Sequence, residues 1–495
     1  MLPEGLLNKT FYANIFSYAS LPIFFLATFS VYVDFFGEAA VGLISLFIFS
    51  RAIILFFDFG LSFSITKGAA EFVANNSSIT QFDQIFGASL KILLITSIIF
   101  STLGVIFLPS FLSQNLEYQN ISADIFNLSV TLIIITSFIY LINGLYRQLF
   151  IGLGNNLFVA KVNIFFNFFR FFGVFPLFLF FEPKVDLFFI LNFVIQCIEL
   201  CLYICVSAKK IPHFELYRLL FSTRINSVNR IKEFSLIVAI TSSIWIFISN
   251  LDKFVAPYLV TLGTYSQFSI LVILASSSLI FVSSAGNILM PSLRFNLLRK
   301  DDRNFLNILH KFSKLIFGIS IIFLIIITLT SLFGFKRILP SIIYEDSLGS
   351  VLIFYAIGNF FLSFSSMFYY FQFSIGNLRY HFFLHLILLF VTPISIYTLS
   401  KNYGLFGLGL SWFFINAIYC YLAYLSCRRI NKSLFKLGIS KLNVSLGLFG
   451  IILAVIIGFK LELAANFDIP VELLFIIFTI YICYFTFYVY KVLKN

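Results

Sequence analysis

Apolar runs of about 20 residues, separated by short polar links, recur along nearly the whole chain. A helix rises about 1.5 Å per residue, so a run of that length crosses the ~30 Å hydrocarbon core of a bilayer. Fourteen such spans are predicted, over 11–33, 41–63, 86–109, 123–146, 158–181, 186–208, 233–257, 265–290, 312–335, 348–373, 379–400, 404–426, 441–460 and 470–490. The pattern predicts an all-α polytopic membrane protein. The first run lacks a small-residue cleavage site and reads as a retained span rather than a signal peptide. Pro22 and Pro176 fall within spans and are expected to kink them.

The links alternate in charge. Assigned to alternate sides, they carry 25 Lys and Arg on one face and six on the other, with Arg51 and Arg170 completing the 33. The positive-inside rule then places the basic face and both termini in the cytoplasm, and the localisation expected is a bacterial cytoplasmic (inner) membrane. The opposite links are acidic, with Asp34, Glu38, Glu117, Asp124, Glu345 and Asp346 among them. The net charge of +12 is therefore a topology signal, and a nucleic-acid partner is not expected. A hydrophobic share of 60% against 11% charged residues leaves no polar stretch long enough for a separate soluble domain.

Two short matches at nearly one offset suggest an internal duplication. Tyr32-Val-Asp-Phe-Phe-Gly37 resembles Tyr258-Leu-Val-Thr-Leu-Gly263, and Phe150-Ile-Gly-Leu-Gly154-Asn155 resembles Phe373-Ser-Ile-Gly376-Asn377. The division expected is an N-terminal lobe over 1–208 with spans 1–6, a C-terminal lobe over 209–426 with spans 7–12, and additional spans 13–14 over 427–495. Six spans return a chain to its starting side, so such halves are parallel repeats, with a substrate path near the midplane between them.

Three full charges stand mid-span: Arg51, Arg170 and Glu199. An ionised group at that depth costs several kcal/mol. Arginine stays protonated in proteins, so each guanidinium needs a water-filled cavity, a carboxylate or an anionic ligand. Asp58 lies seven residues after Arg51, on the same face of a continuous helix. One reading pairs Glu199 and Asp58 with the two arginines as helix-holding counter-ions. The other makes Arg51 and Arg170 the binding site for a phosphate-bearing substrate, with Glu199 or Asp58 coupling or balancing the site; a planar guanidinium fork suits phosphate. Asp252 and Lys253, at the end of span 7, mark a candidate gate or ion site. His381 and His385 share a helix face without a third ligand and read as core or cavity-lining. Cys197, Cys201 and Cys205 form a stripe read as small packing residues rather than metal ligands.

No Walker-type phosphate loop, metal-ligand cluster or long catalytic outer loop is present in the sequence. The reading is a transporter rather than an enzyme, with no cofactor and no metal.

Several segments resemble the polysaccharide-exporter branch of the multidrug/oligosaccharidyl-lipid/polysaccharide (MOP) superfamily, to which MATE-like transporters also belong. The resemblance is to Wzx-type O-antigen flippases. The segments are Asp58-Phe-Gly-Leu-Ser-Phe-Ser-Ile-Thr-Lys67-Gly-Ala-Ala-Glu71, Asn143-Gly-Leu-Tyr-Arg147-Gln, Asn250-Leu-Asp252-Lys253 with Leu262-Gly263-Thr-Tyr265, and Tyr403-Gly-Leu-Phe-Gly407-Leu-Gly. The resemblance implies two six-helix lobes around a cavity that opens alternately to either side. It also implies a cargo of undecaprenyl-pyrophosphate-linked oligosaccharide, coupling to H+ or Na+, contact with membrane lipid, and a polysaccharide polymerase and chain-length regulator as partners. One alternative is a multidrug/cation antiporter of the same superfamily, which needs an acidic cavity. Another is a membrane polysaccharide polymerase or glycosyltransferase, which needs a large catalytic outer loop.

Overall fold

A computed structural model describes residues 4–75, 79–118, 121–210, 233–333 and 346–430, with residues 452 and 455. The described residues form helices and connecting turns. The expected spans 13 and 14, and the basic link before span 7, lie outside them. Among the described residues nine helices are long and apolar enough to cross a membrane, or ten if one bent pair counts as a span. The chain divides into two compact units, Met1–Ser266 and Gln267–Asn495.

In the first unit the helices are α1 (Glu4–Phe36), α2 (Glu38–Ile53), α3 (Leu61–Asn75), α4 (Ile79–Asn115), α5 (Ala123–Gly152), α6 (Asn156–Phe172), α7 (Val185–Lys210) and α8 (Glu233–Val255). Helix α5 packs against α3, α4 and α7, and α1 lies along α6. Helix α8 packs on α2.

The apolar pattern predicts one span over 41–63, but the chain there is broken. Helix α2 ends at Ile53, a 3-10 turn covers Ile54–Asp58, and Phe59 and Gly60 adopt φ of 45° and 69°. Asp58 then caps α3. The backbone N–H of Ser62 donates to its carboxylate at 3.2 and 3.3 Å, and the Ser62 hydroxyl at 2.6 Å. A side-chain acceptor at a helix start satisfies donors that have no intrahelical partner. Arg51 and Asp58 therefore do not share the face of one continuous helix. Pro22 lies inside α1, whereas Pro176 opens a 3-10 turn over Phe175–Leu179, after α6 has ended.

Gly42 sets how closely α2 approaches the start of the next helix, α9 (Leu262–Ala275). A Cβ built there meets the backbone of Leu262, which has no flexible end to move aside. Gly42→Ala is expected to destabilise the protein by about 1–3 kcal/mol, the usual cost of forcing a methyl into a packed contact. Chemical unfolding in detergent measures this; an unchanged midpoint would mean that the contact relaxes freely.

Helix α9, whose residues from Gln267 onward belong to the second unit, meets α10 (Ser277–Leu298) at a 40° bend around Ser276, whose hydroxyl accepts from Asn359 at 3.3 Å. Helix α11 (Asp302–Phe333) and α12 (Asp346–Ile375) follow, and α12 packs against α10, α11 and α13 (Arg379–Ile430). The 52 residues of α13 would extend roughly 78 Å if straight, far more than a bilayer core. Gly404, at φ 55° and ψ −134°, breaks it between predicted spans 11 and 12, in a conformation open to glycine but not to side chains with a Cβ. The indole N–H of Trp412 donates to Asn359 Oδ1 at 3.0 Å, tying the second part of α13 to α12.

The Gly–Asn sequence match has a structural counterpart. Helix α5 closes with Asn155 N–H bonded to Phe150 C=O and Gly154 N–H to Ile151 C=O, with Gly154 at φ 79°. Helix α12 closes with Asn377 N–H bonded to Gln372 C=O and Gly376 N–H to Phe373 C=O, with Gly376 at φ 84°. Both are Schellman-type ends with a left-handed glycine. The Tyr–Gly match has no such counterpart: Tyr32 is fully buried and donates to Phe171 C=O, whereas Tyr258 is half-exposed.

Candidate functional site

Much of the polar interior of the first unit is a connected network drawn from five helices. On the α1–α6 seam, Asn163 donates to Ser17 Oγ at 3.2 Å and Asn167 to Ser20 Oγ at 2.9 Å. Asn167 Oδ1 accepts in turn from Arg170 at 2.8 Å. Asn163, Asn167 and Arg170 are spaced four and three apart, so one face of α6 delivers all three. The second terminal nitrogen of Arg170 reaches α7, where it pairs with Glu199 and donates to Gln196 Oε1 at 2.9 Å.

Gln196 joins the two arginines. Its Oε1 also accepts from Arg51 at 3.2 Å, and its own amide donates to Glu199 Oε2 at 3.3 Å. Helix α5 supplies the other wall. The Arg51 guanidinium lies 4.2 Å from the centre of the Tyr140 ring, and that of Arg147 lies 4.1 Å from the same ring. Asn143, also on α5, donates to the Gln196 carbonyl at 3.4 Å. A tyrosine face attracts a desolvated cation by about 1–2 kcal/mol, which offsets part of the cost of burying guanidinium.

Arg51, Arg170 and Glu199 are 5, 2 and 1% exposed, and Gln196 is fully buried. The cluster holds three arginines to one glutamate. Nε of Arg51 and of Arg170, Oε1 of Glu199, Oδ1 of Asn143 and the Tyr203 hydroxyl have no hydrogen-bond partner. Buried polar atoms are costly unless paired, and with both donors and acceptors left over it is the surplus of three guanidiniums over one carboxylate that makes this an anion-receptive centre. An exposed pair gives the contrast. Lys184 and Glu182, at 2.7 Å in the link before α7, are held by each other, the carboxyl below and the amine above their ordinary ranges. Water screens such a pair, so it contributes little.

Of the residues singled out from sequence, the structure brings Arg51, Arg170 and Glu199 together. Glu199 pairs with Arg170, and among the described residues no carboxylate forms an ion pair with Arg51. Asp58 is engaged with Ser62 at the start of α3. Asp252 and Lys253 form their own buried pair at 2.9 Å, and Lys253 Nζ also donates to Ser249 C=O at 2.6 Å. Tyr265 donates to the Lys253 carbonyl at 3.1 Å. In the second unit the rings of His381 and His385 lie with centres 4.3 Å apart, tilted by 56°, both buried. Cys201 and Cys205 are exposed on α7 rather than packed inside.

Tyr140, Asn167 and Gln196 do not stand out in the sequence, and Asn143 and Arg147 do so only as part of the segment Asn143-Gly-Leu-Tyr-Arg147-Gln, with no role in a site. Arg147 falls among the basic links, and the uncharged amides carry no signal of cost. The spacing that places them is nonetheless present: Tyr140 and Arg147 are seven apart on α5, and Gln196 and Glu199 three apart on α7.

No protein-family model matches the chain, and no curated protein matches it. Solved structures do. The MATE multidrug transporter DinF-BH superposes with a TM-score of 0.65 at 13% identity, over 88% of this chain and 97% of that one. An inward-facing multidrug resistance MATE family transporter of the MOP superfamily gives 0.63 at 14% identity, over 85 and 95%. A MOP superfamily transporter from Pyrococcus furiosus Vc1 (DSM3638), described as having a binding pocket of reverse polarity, gives 0.58 at 15%, over 87 and 96%. At these identities the likeness is one of fold. The chain has the all-α fold of MATE transporters of the MOP superfamily.

Proposed function

We propose that the protein is a transporter that works by alternating access and turns an anionic lipid-linked oligosaccharide, carried on undecaprenyl pyrophosphate, from the cytoplasmic to the outer leaflet. The observation that carries this reading is the meeting of Arg51 and Arg170 at Gln196 Oε1, in a buried cluster with a surplus of guanidinium over carboxylate. A pyrophosphate head supplies the acceptors that such a cluster lacks, and guanidinium forks bind phosphate oxygens bidentately. The description of one similar structure by the reversed polarity of its pocket supports the idea that this fold serves cargo of differing charge. Ion-gradient coupling and placement in the bacterial inner membrane with both termini inside belong to the same proposal.

A multidrug/cation antiporter is the second reading, favoured by the multidrug transporters among the structural neighbours. It requires a carboxylate that can receive a cation. In the first unit Oε2 of Glu199 is taken by Arg170 and Gln196, and three guanidiniums stand against this one carboxylate, which disfavours that role.

Reconstitution separates the two. Proteoliposomes containing the protein are expected to turn over a fluorescent polyprenyl-pyrophosphate oligosaccharide, read by its accessibility to a membrane-impermeant reductant, and to leave a cationic rhodamine dye where it was added. Accumulation of the dye without turnover of the lipid would overturn the proposal in favour of the antiporter.

A further inference from the structure

A second feature of the first unit lies directly beside the cationic cluster. Helices α2, α4 and α5, with the turn after α8, enclose a cavity of about 490 Å³. Its wall is mainly aliphatic, with Phe57, Phe100, Phe107, Phe138 and Phe254 set among leucine, isoleucine and valine side chains. Gly104 of α4 opens it, since a Cβ there would stand 3.1 Å from Ile134 Cγ2 on α5. Glycine inside a helix costs about 1 kcal/mol relative to alanine, a cost set here against the room that it leaves.

The polar atoms of the lining are few, and two of them belong together: the Ser50 and Ser137 hydroxyls, 2.9 Å apart. Arg51 follows Ser50 on α2, and Tyr140, whose ring carries the Arg51 guanidinium, lies three residues beyond Ser137 on α5. The apolar cavity thus ends where the anion-receptive cluster begins.

We infer that this cavity is a binding groove for the polyprenyl chain of the cargo, which it holds while the pyrophosphate engages Arg51. The inference rests on the proposed function and adds to it the part of the cargo that the arginines do not recognise. Charge complementarity fixes the polarity of the occupant, a hydrocarbon chain with an anionic head at the serine end. The mixed aliphatic and aromatic walls and the gap at Gly104 give an irregular channel, which a methyl-branched chain fills with more contacts than a straight acyl chain.

Native mass spectrometry of the detergent-purified full chain tests this with three probes: undecaprenyl monophosphate, dimethylallyl pyrophosphate and phosphatidylglycerol. Gly104→Phe and Leu108→Trp, which fill the groove from α4, are expected to weaken undecaprenyl phosphate binding at least tenfold and to leave the short-chain pyrophosphate unchanged. Ile98→Trp, on the same helix but 64% exposed and outside the groove, is expected to bind all three probes as the unaltered protein does. If Gly104→Phe fails to fold, Leu108→Trp carries the test. Unchanged undecaprenyl phosphate affinity in the groove variants would overturn the groove and leave the headgroup reading standing. Equal affinity of the unaltered protein for phosphatidylglycerol would overturn the choice of occupant, since the groove would then hold bulk lipid. Failure to bind either prenyl probe would overturn the proposed function, and the groove with it.

Discussion

Arg51→Ala is expected to abolish export of the surface glycan while the protein remains in the membrane at ordinary abundance. The two effects separate because of how Arg51 is held. It is held by one hydrogen bond to Gln196 at 3.2 Å and by the rings of Tyr140 at 4.2 Å and Phe47 at 5.5 Å, and no carboxylate pairs with it among the described residues. Removal forfeits about 1–2 kcal/mol of cation–π attraction and leaves no orphaned charge behind. A guanidinium buried with so few partners carries a cost in desolvation, which on the proposed function an arriving anion offsets. Arg51→Lys keeps the charge but loses the fork, so partial export is expected, on the order of a tenth of normal, one lost bidentate contact being worth about 1–2 kcal/mol. Surface glycan by gel and membrane abundance by immunoblot measure both quantities. Normal glycan in Arg51→Ala would remove Arg51 from the site.

The charges are legible in the sequence because a bilayer makes them expensive, so Arg51, Arg170 and Glu199 announce themselves without a structure. Their partners are not legible for the converse reason. Asparagine, glutamine and tyrosine are tolerated inside membrane helices, and Gln196 becomes the hinge of the site only when α2, α6 and α7 meet. The same asymmetry governs the fold. Span positions follow from apolar length, but the break after Ile53 is invisible to hydropathy, because Ile54-Leu-Phe-Phe57 continues the apolar run. The local chemistry that makes the break, a capping Asp58 followed by left-handed Phe59 and Gly60, is written in a few residues and outweighs the pattern around it. Similarly, Gly376-Asn377 reads as a repeat by spelling, and its meaning, a Schellman end matched at Gly154-Asn155, is a matter of backbone bonds. The Tyr–Gly match has the same statistical weight and carries no shared environment.

Glu199 is the place where the counter-ion and binding readings of the cluster part company. Glu199→Ala leaves Arg170 buried without its carboxylate, and removing one partner of a buried pair costs about 3–5 kcal/mol. The variant is therefore expected to unfold at markedly lower denaturant in detergent and to be scarce in the membrane. The double variant Arg170→Met with Glu199→Leu removes both charges and keeps a similar volume, and such replacements are often neutral or stabilising in other buried pairs. It is expected to recover most of the lost stability and still to export no glycan, because the second guanidinium is gone from the Gln196 junction. A double variant that is both stable and active would reduce Arg170 and Glu199 to a structural pair and leave Arg51 and Arg147 as the cationic site. Recovery of stability without activity would instead separate the two roles of Arg170: Glu199 offsets the cost of its burial, and its remaining donors, aimed at Gln196 and Asn167, hold it where an anion can reach it.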